Sequence, residues 1–195
     1  MKNISKGLIA LIVVIVLIIV LIAVAAMSAF GVYNGMVTSR ENVDTQQSAI
    51  QTQLQRRSDL IPNLVNTVKG ISEQEKSVID SVTDARAQLA GAKTMPETAA
   101  ANDALSGALS RLMVVVENYP DIKSSTAYVS LMDELAGTEN RIAASRVDYN
   151  EAVKAYNNKV ITFPGRFFAG IFGFEKAEYF EAPESAQSAP EVNFS

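Results

Sequence analysis

The sequence predicts an all-α protein: an N-terminal transmembrane helix followed by an antiparallel up-down-up-down helical bundle with two long and two short helices. Three observations predict it. Leu8 to Phe30 is an uninterrupted apolar run. Beyond it, apolar residues recur at three- and four-residue spacing, the period of helices rather than strands. Capping and breaking residues then divide the remainder into two long and two short segments.

Apart from Ser28, the run from Leu8 to Phe30 contains only Leu, Ile, Val, Ala, Met and Phe. At about 1.5 Å rise per residue it reaches about 34 Å, slightly more than the roughly 30 Å hydrocarbon core of a bilayer. A buried helix of a soluble protein seldom runs so far without a charge. Ala23-Val24-Ala25 resembles a cleavage site. The run nevertheless exceeds the roughly 7–15 apolar residues of a cleaved signal peptide, so a retained anchor is expected. Lys2 and Lys6 precede the run and only Arg40 follows it closely. The positive-inside rule therefore places residues 1–7 in the cytoplasm, 8–30 across the cell membrane and the rest outside. Gly31 and Gly35 form a small-xxx-small pair at the membrane edge. Such pairs let helices approach closely, although loose interfacial backbone is the plainer reading and the preferred one.

Composition narrows the chemistry. The chain has no His and no Cys, so the usual metal ligands, thiol nucleophiles and neutral-pH bases are missing. No Gly-rich phosphate loop, serine–base arrangement or metal-ligand spacing appears. Adjacent carboxylates such as Asp133-Glu134 point to different sides of a helix. We expect no catalytic, cofactor-binding or metal site, and no enzyme. The net charge of −4 argues against nucleic acid, which needs a basic face.

Residues 31–161 read as the bundle. The first long helix, about Val32 to Lys69, plausibly continues out of the membrane. Its seam follows a seven-residue repeat, with Val43, Ile50, Arg57, Leu64 and Ile71 on one line and Gln47, Leu54, Ile61 and Val68 on the other. Pro62 lies inside it, so a kink near Ser58–Pro62 is expected. Gly70 supplies a stop. Ser72 and Glu75 have capping-box spacing for a short second helix, as do Thr94 and Glu97 for a third. Pro120 ends the third. The fourth, about Ser125 to Val160, is again long, with Leu135, Glu139, Ile142, Arg146, Tyr149, Val153 and Tyr156 on its stripe.

Antiparallel packing of the long helices sets Glu139 near Arg57. Such a pair fixes register more than it adds stability. Arg57, Glu139, Pro62, Tyr149 and Tyr156 are the candidate structural seam. The short helices cover only part of the long pair. The uncovered stretch, with Thr38, Asn42, Thr45, Gln46 and Ser48 outward, is a candidate self-association surface. Residues 162–180 form an aromatic segment, whose stretch Phe163–Phe174 holds five of the eight Phe. Phe163, Arg166, Phe167, Phe168, Phe172 and Phe174 suit the headgroup boundary of a membrane. The residues at 181–195, rich in Glu, Ala, Pro and Ser, read as a disordered tail.

These residues resemble the LemA family of bacterial envelope proteins over about Tyr33–Phe174. The strongest stretch is the run from Gln53 to Gly70, QLQRRSDLIPNLVNTVKG. Glu117-Asn118-Tyr119-Pro120-Asp121-Ile122-Lys123, Thr138-Glu139-Asn140-Arg141-Ile142, Tyr149-Asn150, Tyr156-Asn157, Phe163-Pro164 and Phe172-Gly173-Phe174 extend it. The chain departs from the family at Gln47, where Trp is usual, and at Ile71 and Gln74, where Tyr and His are common. The resemblance implies an anchor and an external helical bundle, and it supplies no established catalytic activity. It also implies links to membrane compartments in magnetic bacteria and to a neighbouring membrane metalloprotease. The expected function is a structural scaffold of the envelope that contacts membrane lipid, self-associates as a homo-oligomer, and organises or shapes membrane. The alternative is an adaptor or regulatory partner of another envelope protein, such as a membrane protease.

Overall fold

In a computed structural model, residues 6–72 and 75–181 are described. The tail expected at 181–195 therefore lies almost wholly outside the described residues, as does Gln74. Every element among the described residues is helical. In order they are α1 (Lys6–Thr67), α2 (Lys76–Gly91), α3 (Met95–Val116), α4 (Pro120–Lys123), α5 (Thr126–Ile161) and α6 (Gly165–Phe172).

The apolar run and the first long helix are one element. α1 is continuous for 62 residues, with no break at Gly31 or Gly35. Ser28 is accommodated because its hydroxyl donates to the Val24 carbonyl one turn back, at 2.9 Å. The helix also continues through Pro62. Proline has no N–H to give the carbonyl four residues earlier, that of Ser58. Arg86 Nε on α2 donates to this carbonyl at 2.9 Å, so the proline creates a tether between two helices. The helix ends at Thr67, three residues before Gly70.

The second capping box is present: Thr94 Oγ1 accepts from Glu97 N at 3.3 Å, and the Glu97 carboxylate accepts from Thr94 N and Lys93 N. These N–H donors hold the Glu97 carboxyl below its ordinary value of 4.5. A carboxyl lowered by folding stabilises the fold above its unfolded pKa, and that contribution disappears as pH falls through the lowered folded value. Acidification below pH 4.5 is thus expected to fray the start of α3 first. Glu97→Gln should remove that pH dependence from the exchange of the Thr94 and Lys93 amides.

The first capping box is absent. α2 begins at Lys76, with Glu75 at its N-cap making no side-chain cap bond. The Tyr119 hydroxyl intervenes, donating to Glu75 Oε2 at 2.6 Å and accepting from Ser72 N at 3.1 Å. A hydroxyl that donates and accepts joins two groups that were expected to bond each other. Pro120 does end α3, but it also opens the single turn α4, as suits a residue with preset φ and no N–H to satisfy.

The chain divides into two compact units, Val43–Val153 with Glu178–Ser195, and Met1–Asn42 with Lys154–Ala177. In the first, the core is built from the expected stripes: Val43, Ile50, Leu54, Ile61 and Leu64 of α1, Val82, Ala85 and Leu89 of α2, Leu105, Ala108 and Leu112 of α3, and Leu135 and Ile142 of α5 are all buried. In the second, Met36, Tyr156, Val160 and Ala169 are buried.

Candidate functional site

The unit that carries the apolar run presents two apolar surfaces to its surroundings. Every residue from Leu8 to Ser28 is exposed. Each Leu, Ile or Val there would gain roughly 1.5–3 kcal/mol on leaving water. A helix long and apolar enough to cross a membrane is the physical content of this surface.

The second surface is α6. The segment expected to be a broken aromatic stretch forms two helical turns instead, closed by Gly173 in the left-handed region at φ +73°. Phe174 N returns to the Ala169 carbonyl at 3.0 Å across that cap. One face of α6 is inward: Gly165 and Ala169 are buried. The opposite face is apolar and outward. Phe167 is 65% exposed and Ile171 62%, one turn apart on α6, and Phe163, in the turn that precedes the helix, is 90% exposed. Arg166 is exposed beside them. Phe172 is exposed on one side while its edge meets the Tyr33 ring at 5.0 Å. Phe168 stacks on Phe172 at 6.1 Å, and Phe174 meets Tyr33 at 5.7 Å. The six aromatic and basic residues singled out in the sequence are therefore divided. Phe163, Arg166 and Phe167 face outward, Phe168 and Phe174 are half-buried, and Phe172 does both. Ile171 is outward as well, a position that its four-residue spacing from Phe167 marks.

Gly165 fixes where α6 lies. A Cβ built there would sit 1.8 Å from the Lys159 carbonyl oxygen and 2.9 Å from Met36 Cε. Backbone occupies the space, so no rotamer change relieves the clash. Gly165→Ala is expected to cost about 1–3 kcal/mol and displace α6. Loss of protection at the Phe174 amide, measured by hydrogen exchange, checks this.

In the larger unit, Arg57 is 4% exposed and holds three helices together. Its Nη1 lies 2.7 Å from Glu139 Oε2 on α5 and donates to Asn102 Oδ1 on α3 at 2.7 Å, while Nη2 donates to Ser106 Oγ at 3.0 Å. Burial lowers the Arg57 pKa below its ordinary value, opposed by the carboxylates of Glu139 and Asp103; the group stays charged. Burial also raises the Asp103 carboxyl, with Arg146 at 4.0 Å working against the rise. Asn102, which is fully buried, and Ser106 were not singled out in the sequence. A polar residue beside an apolar stripe is ordinarily solvated, and only the partner across the core reveals otherwise.

The irregular segment after α6 is held to α5 by two clamps of the same design, one in each unit. In the unit of the apolar run, Asn157 Nδ2 donates to the Ala177 carbonyl at 2.9 Å and Oδ1 accepts from Ala177 N at 2.8 Å. Tyr156 OH donates to the Glu175 carbonyl at 2.8 Å. In the larger unit, Asn150 grips both backbone groups of Phe180 at 3.0 and 2.9 Å. Tyr149 OH donates to the Glu178 carbonyl at 2.8 Å. Phe180 is 1% exposed, with the Arg146 guanidinium 4.6 Å above its ring. Tyr149 and Tyr156, both buried on α5, thus hold this strap through their hydroxyls.

Comparison with known proteins adds a family and several relatives. The model of the LemA family matches residues 46–194. A magnetosome protein of Paramagnetospirillum magneticum, MamQ 2, is 31% identical over 178 residues, covering 76% of this chain and 64% of the relative. MamQ of Magnetospirillum gryphiswaldense is 29% identical over 174 residues with the same coverage. Protein LemA of Metamycoplasma hominis is 26% identical over 158 residues, covering 79% of this chain and 71% of the relative. The chain spans less than two thirds of the length of the two magnetosome relatives.

Proposed function

This chain belongs to the LemA family, and from that premise we propose that it is a membrane-anchored, non-catalytic scaffold of the bacterial envelope. Residues 1–7 lie in the cytoplasm and 8–30 cross the cell membrane once. The remaining helices stand outside as an antiparallel up-down-up-down bundle of two long and two short helices. Copies self-associate as a homo-oligomer and organise or shape the membrane, as befits a chain with relatives named as magnetosome proteins.

The observation that carries this reading is the exposed apolar stretch of α1, continuous with the bundle's first helix. The exposed Phe163, Phe167 and Ile171 support it as a second lipid contact. Thr38, Asn42, Thr45 and Ser48 are exposed on α1, polar and uncharged, and offer a face on which a second copy can lie. The absence of His and Cys supports the non-catalytic part.

Cross-linking in cells tests the scaffold. A regular ladder of self-adducts, lost when Thr45 and Ser48 are both replaced by Glu, is the expected result. A single adduct to a foreign envelope protein, such as a membrane protease, contradicts it in favour of an adaptor.

A further inference from the structure

We propose that the unit carrying the apolar run holds a phospholipid in the groove between α1 and the turn that joins α5 to α6, with one acyl chain over Gly31 and Gly35 and the phosphate on Lys159. The proposal rests on the anchor reading above and deepens it.

The groove has a volume of about 440 Å³, and its lining runs from Ser28, inside the apolar run, past Gly31 and Gly35 to Met36, Phe163 and Pro164. It therefore continues the apolar surface of the span beyond the point where the run ends. A Cβ at Gly31 or Gly35 would meet nothing within 4 Å, so the chain leaves the notch of this small-xxx-small pair unfilled. Phe163, 90% exposed, forms one wall. An acyl chain lying along the span reaches this notch without leaving apolar surroundings.

At the rim stands Lys159. Its ammonium donates to the Gly35 carbonyl at 3.1 Å and the Ser39 hydroxyl at 2.5 Å. Both acceptors are neutral, and among the described residues Lys159 forms no ion pair. One of its three N–H donors remains, on a cation whose two acceptors carry no charge. The surroundings reinforce that sign. Beyond the apolar run, over 31–42 and 154–177, the unit holds five basic residues, Arg40, Lys154, Lys159, Arg166 and Lys176, against two acidic ones, Glu41 and Glu175, in a chain of net charge −4. A basic rim above an apolar notch at the end of a membrane span is complementary to a phosphate with its acyl chain, and most so to an anionic glycerophospholipid. A second copy of α1 packed through the same glycines fits less well. An isologous contact sets each patch against itself and brings the two Lys159 ammonium groups together.

The full chain is reconstituted into phosphatidylcholine vesicles containing a trace of phosphatidylglycerol with a photoactivatable diazirine in mid-acyl chain, and adducts are mapped by mass spectrometry. We expect adducts along residues 8–30 and a distinct cluster on Met36 and Phe163. Gly31→Leu with Gly35→Leu fills the notch in open space, and should abolish the cluster while leaving the adducts at 8–30 unchanged. Lys159→Gln removes a charge-assisted hydrogen bond and should lower the cluster about tenfold, with Lys159→Arg restoring most of it. A cluster unchanged in the leucine variant, or a loss of chain-to-chain cross-links in place of lipid adducts, overturns the lipid site and leaves the anchor standing. Absence of adducts at 8–30 as well overturns both.

Discussion

Replacing Arg57 with Met is expected to cost about 3–5 kcal/mol, and replacing Arg57 and Glu139 together, with Met and Leu, less than that. The guanidinium is 4% exposed, forms an ion pair with Glu139 and donates to Asn102 and Ser106. Removing it strands a buried carboxylate oxygen and an amide oxygen, each of which has lost water on folding. Glu139→Leu alone should cost less, because that side chain is 44% exposed and the guanidinium keeps its two neutral acceptors. The double variant removes both charges and puts apolar volume in their place, where the desolvation cost of the pair no longer has to be offset. Urea unfolding of the full chain in detergent, followed by far-ultraviolet circular dichroism, gives the three values. Additive losses, with the double variant the least stable, would contradict the coupling.

Phe180→Ala should detach the strap while leaving the helices folded. The ring is 1% exposed and lies under the Arg146 guanidinium, so the substitution costs about 3–5 kcal/mol of local stability. That exceeds what the Asn150 clamp holds, since a neutral side-chain hydrogen bond nets only about 1 kcal/mol. Amide exchange reads the outcome directly, because Phe180 N and Ala177 N are both bonded to asparagine side chains. Protection at Phe180 should be lost in both Phe180→Ala and Asn150→Ala, more completely in the former. Unchanged protection at Phe180 in Asn150→Ala would show that the clamp contributes nothing.

What was legible in the sequence was whatever repeats. The seam of α1 could be read through Arg57 because its neighbours at seven-residue spacing are apolar. Matching that seam against the stripe of α5 set Glu139 beside Arg57 without any coordinates. The apolar run and the capping box at Thr94 and Glu97 are equally local, since each depends on residues within a turn or along one face. What was illegible depends on a partner far away in the chain. Ser72 and Glu75 have capping-box spacing, but Tyr119, 47 residues on from Ser72, takes both groups. Asn102 looks like a surface residue until Arg57 arrives. Gly165 looks like a helix breaker, yet its role is to let one backbone approach another.

The strap shows the limit most plainly. Asn150 and Asn157 read the backbone of residues 177 and 180, not their side chains. The strap therefore needs no periodic pattern, and its composition gave no sign of order before Phe180. The signal was on the other partner, in Tyr149-Asn150 and Tyr156-Asn157 repeated seven residues apart on one face of α5. Tyrosine and asparagine together, buried on a long helix, supply a hydroxyl and both halves of an amide, the set that satisfies peptide backbone. Their repetition could have been read as a demand for an unpaired segment of chain.

The anchor is tested most directly by fractionating cells that express the full chain, washing the membranes at alkaline pH, and adding protease from outside to intact spheroplasts. The account predicts an unclipped chain that stays in the washed pellet and loses its helices beyond Gly31 to the external protease. A chain released into the supernatant and shortened near Ala25, or one whose helices the external protease spares, would contradict it.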